Sequence, residues 1–242
     1  MPVTAADILH YKSADGDSEG GAISGSTITS GVMNNLWPDI TDAERVAGIT
    51  LYRKTFWKNI DGSESMLVPV IYVPDPPDNA AFHIGLGFDH ADDDNSAQGN
   101  MTAWTADALV ALISDGSDTR VVTIVGVDDT DTPISEDVTL TGAVEVLSIA
   151  TFRKVWGWRV ASGSGTRTVL LKQGSGGTTR GTIGTNEIAS WLWATATSKG
   201  AGIELPDIAP SQNRGVWHRL VVSAGATATR PNTMTTRIEE NA

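Results

Sequence analysis

Short runs of β-branched and aromatic residues, each closed by Gly, Asp, Asn or Ser, recur along this 242-residue chain at intervals of roughly 8–12 residues. Ile49-Thr-Leu-Tyr-Arg-Lys-Thr-Phe-Trp-Lys is followed by the turn text Asn59-Ile-Asp-Gly-Ser. Met66-Leu-Val-Pro-Val-Ile-Tyr-Val stops at Pro74, and its internal Pro69 predicts a sheet edge or a bulge. Phe82, Ile84, Leu86 and Phe88 alternate on one face of a half-buried strand. Arg120-Val-Val-Thr-Ile-Val-Gly-Val and Ser135-Glu-Asp-Val-Thr-Leu-Thr-Gly flank a polar loop and predict a hairpin. Further strands are expected at 152–160, 166–172, 188–196, 215–225 and 233–239. Only 102–113 is ambiguous: Trp104, Ala108 and Leu112 fit a short helix, and the same text fits a strand. Such punctuation predicts an all-β chain of β-sandwich type, Ig-like or jelly-roll-like.

The first 35 residues read differently, being poor in large apolar groups and rich in Gly, Ser and Asp. They are expected to form an extended arm, either flexible or ordered against a neighbouring subunit, because they bury too little to offset their own ordering entropy. Charge narrows the partners. With 17 Lys+Arg against 29 Asp+Glu, the net charge of −12 disfavours nucleic-acid backbones and anionic membrane surfaces. No apolar stretch approaches the ~20 residues that span a bilayer. The start, Met1-Pro-Val-Thr-Ala-Ala-Asp-Ile, lacks a basic then apolar leader, so no secretory signal is expected. Cysteine is absent, which removes disulfides and thiolate chemistry.

Catalytic and cofactor signatures are missing. His10, His83, His90 and His218 share no i, i+2 or i, i+4 spacing, and no HExxH, GxSxG, GxGxxG or P-loop occurs. The acidic run Asp89-His-Ala-Asp-Asp-Asp-Asn reads as a solvated loop or a Ca²⁺ site. Counted from Asp92 it has Ala97 where an EF-hand needs Gly and Ala103 where it needs Glu. No enzyme activity, metal or cofactor is expected. Tryptophan is the informative residue, with eight copies. Trp156/Trp158 and Trp191/Trp193 are i, i+2 pairs that would share a strand face, and serve as core, as interface anchors or as a stacking platform for sugar rings.

Three stretches together resemble structural proteins of tailed-bacteriophage virions. The first is Gly48-Ile-Thr-Leu-Tyr-Arg-Lys-Thr-Phe-Trp-Lys-Asn, preceded by Asn34-Asn-Leu-Trp-Pro-Asp. The second is Val122-Thr-Ile-Val-Gly-Val-Asp with Glu136-Asp-Val-Thr-Leu-Thr-Gly and Phe152-Arg-Lys-Val. The third is Ile208-Ala-Pro followed by Gly215-Val-Trp-His-Arg-Leu-Val-Val-Ser-Ala-Gly-Ala, in which His218 stands for a more usual Arg and Ser223 for Pro.

The resemblance implies a base β-sandwich formed by 36–105 plus 186–242, an inserted β-domain at 106–185, and the arm at 1–35. It implies a non-enzymatic virion protein, a homo-oligomer that binds other virion proteins through base and arm. Capsid decoration is the preferred placement, with a tail or baseplate component or a glycan-binding adhesin of the host surface as alternatives. The expected interface residues are Tyr52, Arg53, Trp57, Trp156, Trp158, Trp191, Trp193, Trp217 and Arg219.

Overall fold

A computed structural model describes residues 3–14, 20–77, 81–86, 98–160, 167–185, 187, 189–227 and 234–240. The fold is all-β with several antiparallel sheets, of sandwich type as the strand punctuation requires. In chain order the strands are β1 (Ile8–Ser13), β2 (Ile23–Thr27), β3 (Ile49–Asn59), β4 (Pro69–Asp75), β5 (Ala81–Leu86), β6 (Gln98–Asn100), β7 (Ala108–Ser114) and β8 (Val121–Asp128). Then follow β9 (Pro133–Thr139), β10 (Val146–Val160), β11 (Val169–Gln173), β12 (Thr178–Ile183), β13 (Ala189–Trp191), β14 (Ile203–Glu204), β15 (Asn213–Val222) and β16 (Thr235–Glu240). The one α-helix among the described residues, α1 (Asp42–Ala47), opens on a capping box: Thr41 Oγ1 accepts from Glu44 N–H, and Glu44 returns a carboxylate to Thr41 N–H.

The chain divides into two compact units, Met1–Ala91 with Ala194–Ala242, and Asp92–Trp193. The first unit holds a five-stranded sheet in the order β2-β1-β3-β15-β5 and a three-stranded sheet β14-β4-β16. β15 runs antiparallel along β3 from Asn213 opposite Lys58 to Val222 opposite Ile49, so segments far apart in sequence form the middle of the sheet. Both faces of this pair are covered. Lys54, Phe56 and Trp217 are buried on one face, and Thr55, Val216 and His218 on the other. Lys54 is accommodated through its ammonium, which lies 5.3 Å from the Phe56 ring centroid and 5.9 Å from that of Trp217.

Three expectations change here. The stretch 1–35 contributes two strands rather than an extended arm, with β1 pairing along β3 from Ile8 opposite Asn59 to Lys12 opposite Thr55. The low apolar content of the whole stretch hid the six residues Ile8-Leu-His-Tyr-Lys-Ser, which alternate well enough to pair. Pro69 is neither at an edge nor in a bulge. It is the first residue of β4, the middle strand of its sheet, where a missing N–H costs little. The boundaries expected at 105/106 and 185/186 fall inside the second unit, because β13 pairs with β10 and β6 pairs with β13.

The second unit closes on itself. Its strands follow the path β12-β11-β7-β10-β13-β6, and Met101, next after β6, bridges to Gly181 on β12. Thr102 N–H donates to Arg180 O at 2.7 Å beside it, completing the ring. Closure removes the free edges that the six-strand path would present if it were open. The β8–β9 hairpin attaches to the far half of β10, with Val121 opposite Thr139 and Val127 opposite Pro133 as the sequence predicts. The ambiguous 102–113 segment resolves as strand β7 preceded by irregular chain. Trp104, Val110, Leu112, Val122, Ile124, Phe152, Val155, Trp158 and Leu171 belong to one buried cluster. Each such side chain stabilises by roughly 1.5–3 kcal/mol on burial.

Two glycines let indoles pack against backbone. A Cβ on Gly157 would stand 2.1 Å from Trp191 Cε3, and one on Gly181 would stand 2.8 Å from Trp158 Nε1. Gly157→Ala is therefore expected to destabilise the second unit by about 1–3 kcal/mol through overpacking. Gly25→Ala, where nothing lies within 4 Å, should stay within about 0.5 kcal/mol of the parent. Urea unfolding of both variants checks the contrast, and equal stabilities would contradict the packing of Trp191 on Gly157.

Candidate functional site

Strand register brings two histidines together from opposite ends of the chain. His10 on β1 stands opposite Trp57 on β3, Lys12 opposite Thr55, and His218 on β15 opposite Arg53. Residues directly opposite in an antiparallel pair project to the same side, so Lys12, Arg53, Thr55, Trp57, His10 and His218 share one face. Thr55 Oγ1 lies 2.8 Å from His10 Nε2 and 2.8 Å from His218 Nε2. The Trp57 ring stacks on His10 with centroids 4.0 Å apart and planes within 4°. Thr55 and His218 are fully buried, while His10 is half-buried.

The hydroxyl makes the two imidazoles unequal. A threonine offers one proton and two lone pairs. When it donates to one Nε2, the second Nε2 must carry its own proton and donate to Oγ1. The two neutral rings therefore take complementary tautomers. Burial holds both rings neutral. It lowers the His218 pKa to about 3 and the His10 pKa well below its ordinary value, with the nearby His218 adding to the effect on His10. Such an arrangement ties three strands together. Thr55 and His218 are sealed from solvent, and His10 forms the half-buried end of the chain.

Acidic groups elsewhere are held by local partners. Asp118 is kept ionised below the usual carboxylate range chiefly by Arg120, whose Nη2 donates to it at 2.7 Å. Asp128 Oδ1 accepts from Thr130 N–H and Thr132 N–H and organises the β8–β9 loop. Among the described residues no three His, Cys, Asp or Glu side chains gather at one point. The acidic run at 89–95 lies outside the described residues, as do His90 and Phe88.

The nine expected interface residues scatter. Arg53, Trp57, Trp156, Trp158, Trp191 and Trp217 are buried within the chain. Tyr52, Trp193 and Arg219 are half-buried, and Tyr52 stands opposite Arg219. Arg53 donates to Tyr52 O and covers Trp37, 5.6 Å from its ring centroid. The tryptophan pairs do not form platforms. Trp156 lies in a β-bulge between Val155 and Gly157, which breaks the alternation with Trp158, and β13 ends at Trp191 before Trp193. The Lys154 ammonium also sits 5.3 Å from the Trp156 ring centroid. His10 and His218 are visible in the sequence but their meeting is not, since neither lies near Thr55 in sequence and only the register joins them.

No family model, curated protein or solved structure matches this chain.

The titration of this site sets a pH dependence. A histidine with a depressed folded-state pKa binds its proton more readily in the unfolded chain, so its stabilising contribution is complete above about pH 6.5 and declines as pH falls. For His218 the decline is about 1.4 kcal/mol per pH unit and continues to about pH 3. Urea-unfolding free energies are expected to drop between pH 6.5 and 5, above the range in which carboxylates take up protons. A flat profile across that window would contradict the buried neutral pair.

Proposed function

We propose that this chain is a non-enzymatic structural protein of a tailed-phage virion, a capsid decoration protein that docks on neighbouring virion subunits. The resemblance of three ordered sequence stretches to such proteins supports the reading. The carrying observation is an aliphatic projection on the second unit. β10 spends four positions between Leu147 and Thr151 where β7 spends two between Ala111 and Leu109, and the surplus residues form a bulge. At its tip Ile149 is 93% exposed, with Val144 at 65% and Leu147 at 42% nearby in sequence.

Hydrogen bonds hold the bulge in one shape. Ser148 Oγ accepts from Val110 N–H at 2.9 Å and donates to Ala150 O at 2.8 Å. Glu136 takes Ile149 N–H on one oxygen at 2.6 Å and Ala150 N–H on the other at 3.0 Å. A fixed backbone around an exposed apolar side chain loses little further freedom on docking, which favours association. A role in assembly accounts for such a feature, and the charge of −12 keeps free copies apart in solution. Tail or baseplate placement uses the same surface. For the glycan-binding alternative, Trp156, Trp158 and Trp191 are buried and Trp193 is half-buried.

Immunogold electron microscopy of purified particles tests the proposal. Label over the head is expected, and Ile149→Asp is expected to reduce incorporation at least tenfold while leaving the circular dichroism spectrum unchanged. Label confined to the tail would move the protein there. Particles without label, together with negative blots, would overturn the virion reading.

A further inference from the structure

We propose that two copies of this chain pair edge to edge through β2, antiparallel across a two-fold axis, and so join their five-stranded sheets. β2 ends the sheet order β2-β1-β3-β15-β5, and among the described residues no strand pairs with it on the side away from β1. On the β1 side it is anchored: Ile28 N–H donates to His10 O and Ala14 N–H to Ala22 O, both at 2.7 Å. Gly25, Ser26 and Thr27 are exposed. An outer strand of this kind offers N–H and C=O groups to any strand that meets it.

Charge decides which strand that is. From Gly20 to Pro38 no residue is charged, the longest such run in a chain whose charged residues make up 19%. Edge strands commonly carry charges that repel a second edge, and the other outer strands here do. β9 has Glu136 and Asp137, β14 has Glu204, and β16 has Arg237, Glu239 and Glu240. On β5, at the opposite end of the sheet, Ile84 exchanges two backbone hydrogen bonds with Ala194, at 3.0 and 3.2 Å, which covers that edge. Across a two-fold axis every patch meets its own copy, so a patch with net charge repels its mate. In a chain of net charge −12, the acidic strands attract a basic partner and repel a second copy. The neutral edge has the reverse preference.

Full antiparallel overlap of Ile23–Thr27 with its mate sets Gly25 opposite Gly25, Ser24 opposite Ser26 and Ile23 opposite Thr27. A Cβ on Gly25 would meet nothing within 4 Å, so this crossing point lies clear of the chain's own atoms. β2 carries one irregularity: Ser24, Gly25 and Ser26 stand together opposite Lys12, and Ser24 Oγ accepts from Ser26 N–H at 3.0 Å. Such a bulge bends the strand and keeps the new ladder short, so the contact is weak and reversible rather than obligate. Apolar surface comes from the loop that follows, where Met33 is 71% exposed and Val32 55%. Gly31 and Asn34 shape that loop at positive φ, 78° and 55°, and Asn35 Nδ2 donates to Thr29 O at 2.8 Å across it. A loop held in advance loses little freedom on association.

The contact needs no virion, and sedimentation velocity of the full chain at rising concentration tests it. The parent is expected to pass reversibly from monomer to dimer. Gly25→Glu and Gly25→Lys should each weaken the dimer at least about tenfold by setting like charges opposite each other. Their urea midpoints in dilute solution should equal the parent's, since the side chain enters open space. An equimolar mixture of the two variants should recover association, because Glu then faces Lys. A parent that stays monomeric at every concentration would overturn the proposal. So would charge variants that dimerise like the parent, or a mixture that associates no better than either variant alone.

Discussion

β3 is covered on both faces and flanked on both edges, and this double burial is the constraint on which the first unit depends. A strand so placed cannot alternate apolar and polar residues, because both faces need side chains that tolerate a dry environment. Arg53, Lys54 and Thr55 are buried beside Phe56 and Trp57, and each polar group answers the burial in its own way. Arg53 donates to a carbonyl and lies over Trp37, Lys54 lies near two aromatic rings, and Thr55 divides its hydroxyl between two histidines. The pairing with β15 brings in the C-terminal part of the chain and the pairing with β1 the N-terminal part, so the polar contacts double as ties between distant segments.

In the second unit the constraint is a different one, the unsatisfied edges of a strand path, and closure meets it along six strands. A path of six strands returns to its start at Met101 and Gly181. Closure demands small residues where indoles meet backbone, and Gly157 and Gly181 supply them. Irregularity is then concentrated in β10, which is 15 residues long and carries bulges where it passes from β7 to β8 and β13. One bulge turns Trp156 out of phase with Trp158, and another lifts Ile149 into solvent. The feature proposed for docking is thus a by-product of how a long strand serves two neighbours.

Much of the fold was legible because turn chemistry is local. The run at 49–58 lies on β3, those at 120–127 and 215–225 overlap β8 and β15 with the last three residues beyond the strand, and the hairpin across 128–133 pairs as its Asp-rich loop implies. Thr41-Asp-Ala-Glu44 carries a capping-box signature that would have located α1. Illegible were the features that depend on register. Strand alternation gives a face but not a partner, so neither the His10–Thr55–His218 chain nor the ring closure at Gly181 could be read. Tryptophan content was visible and its placement was not. The indoles of Trp158, Trp191 and Trp217 are core, and the most exposed of the described large apolar residues, Ile149, has no motif at all.

The central claim is that two neutral imidazoles with complementary tautomers bind three strands through one hydroxyl. Nitrogen-detected NMR of the histidine side chains tests it without a variant. At pH 7 one of His10 and His218 is expected to carry its proton on Nε2 and the other on Nδ1, and His218 is expected to remain neutral at pH 5 in the folded chain. Two rings in fast tautomeric exchange that both titrate near pH 6.5 would show that the hydroxyl does not bridge them.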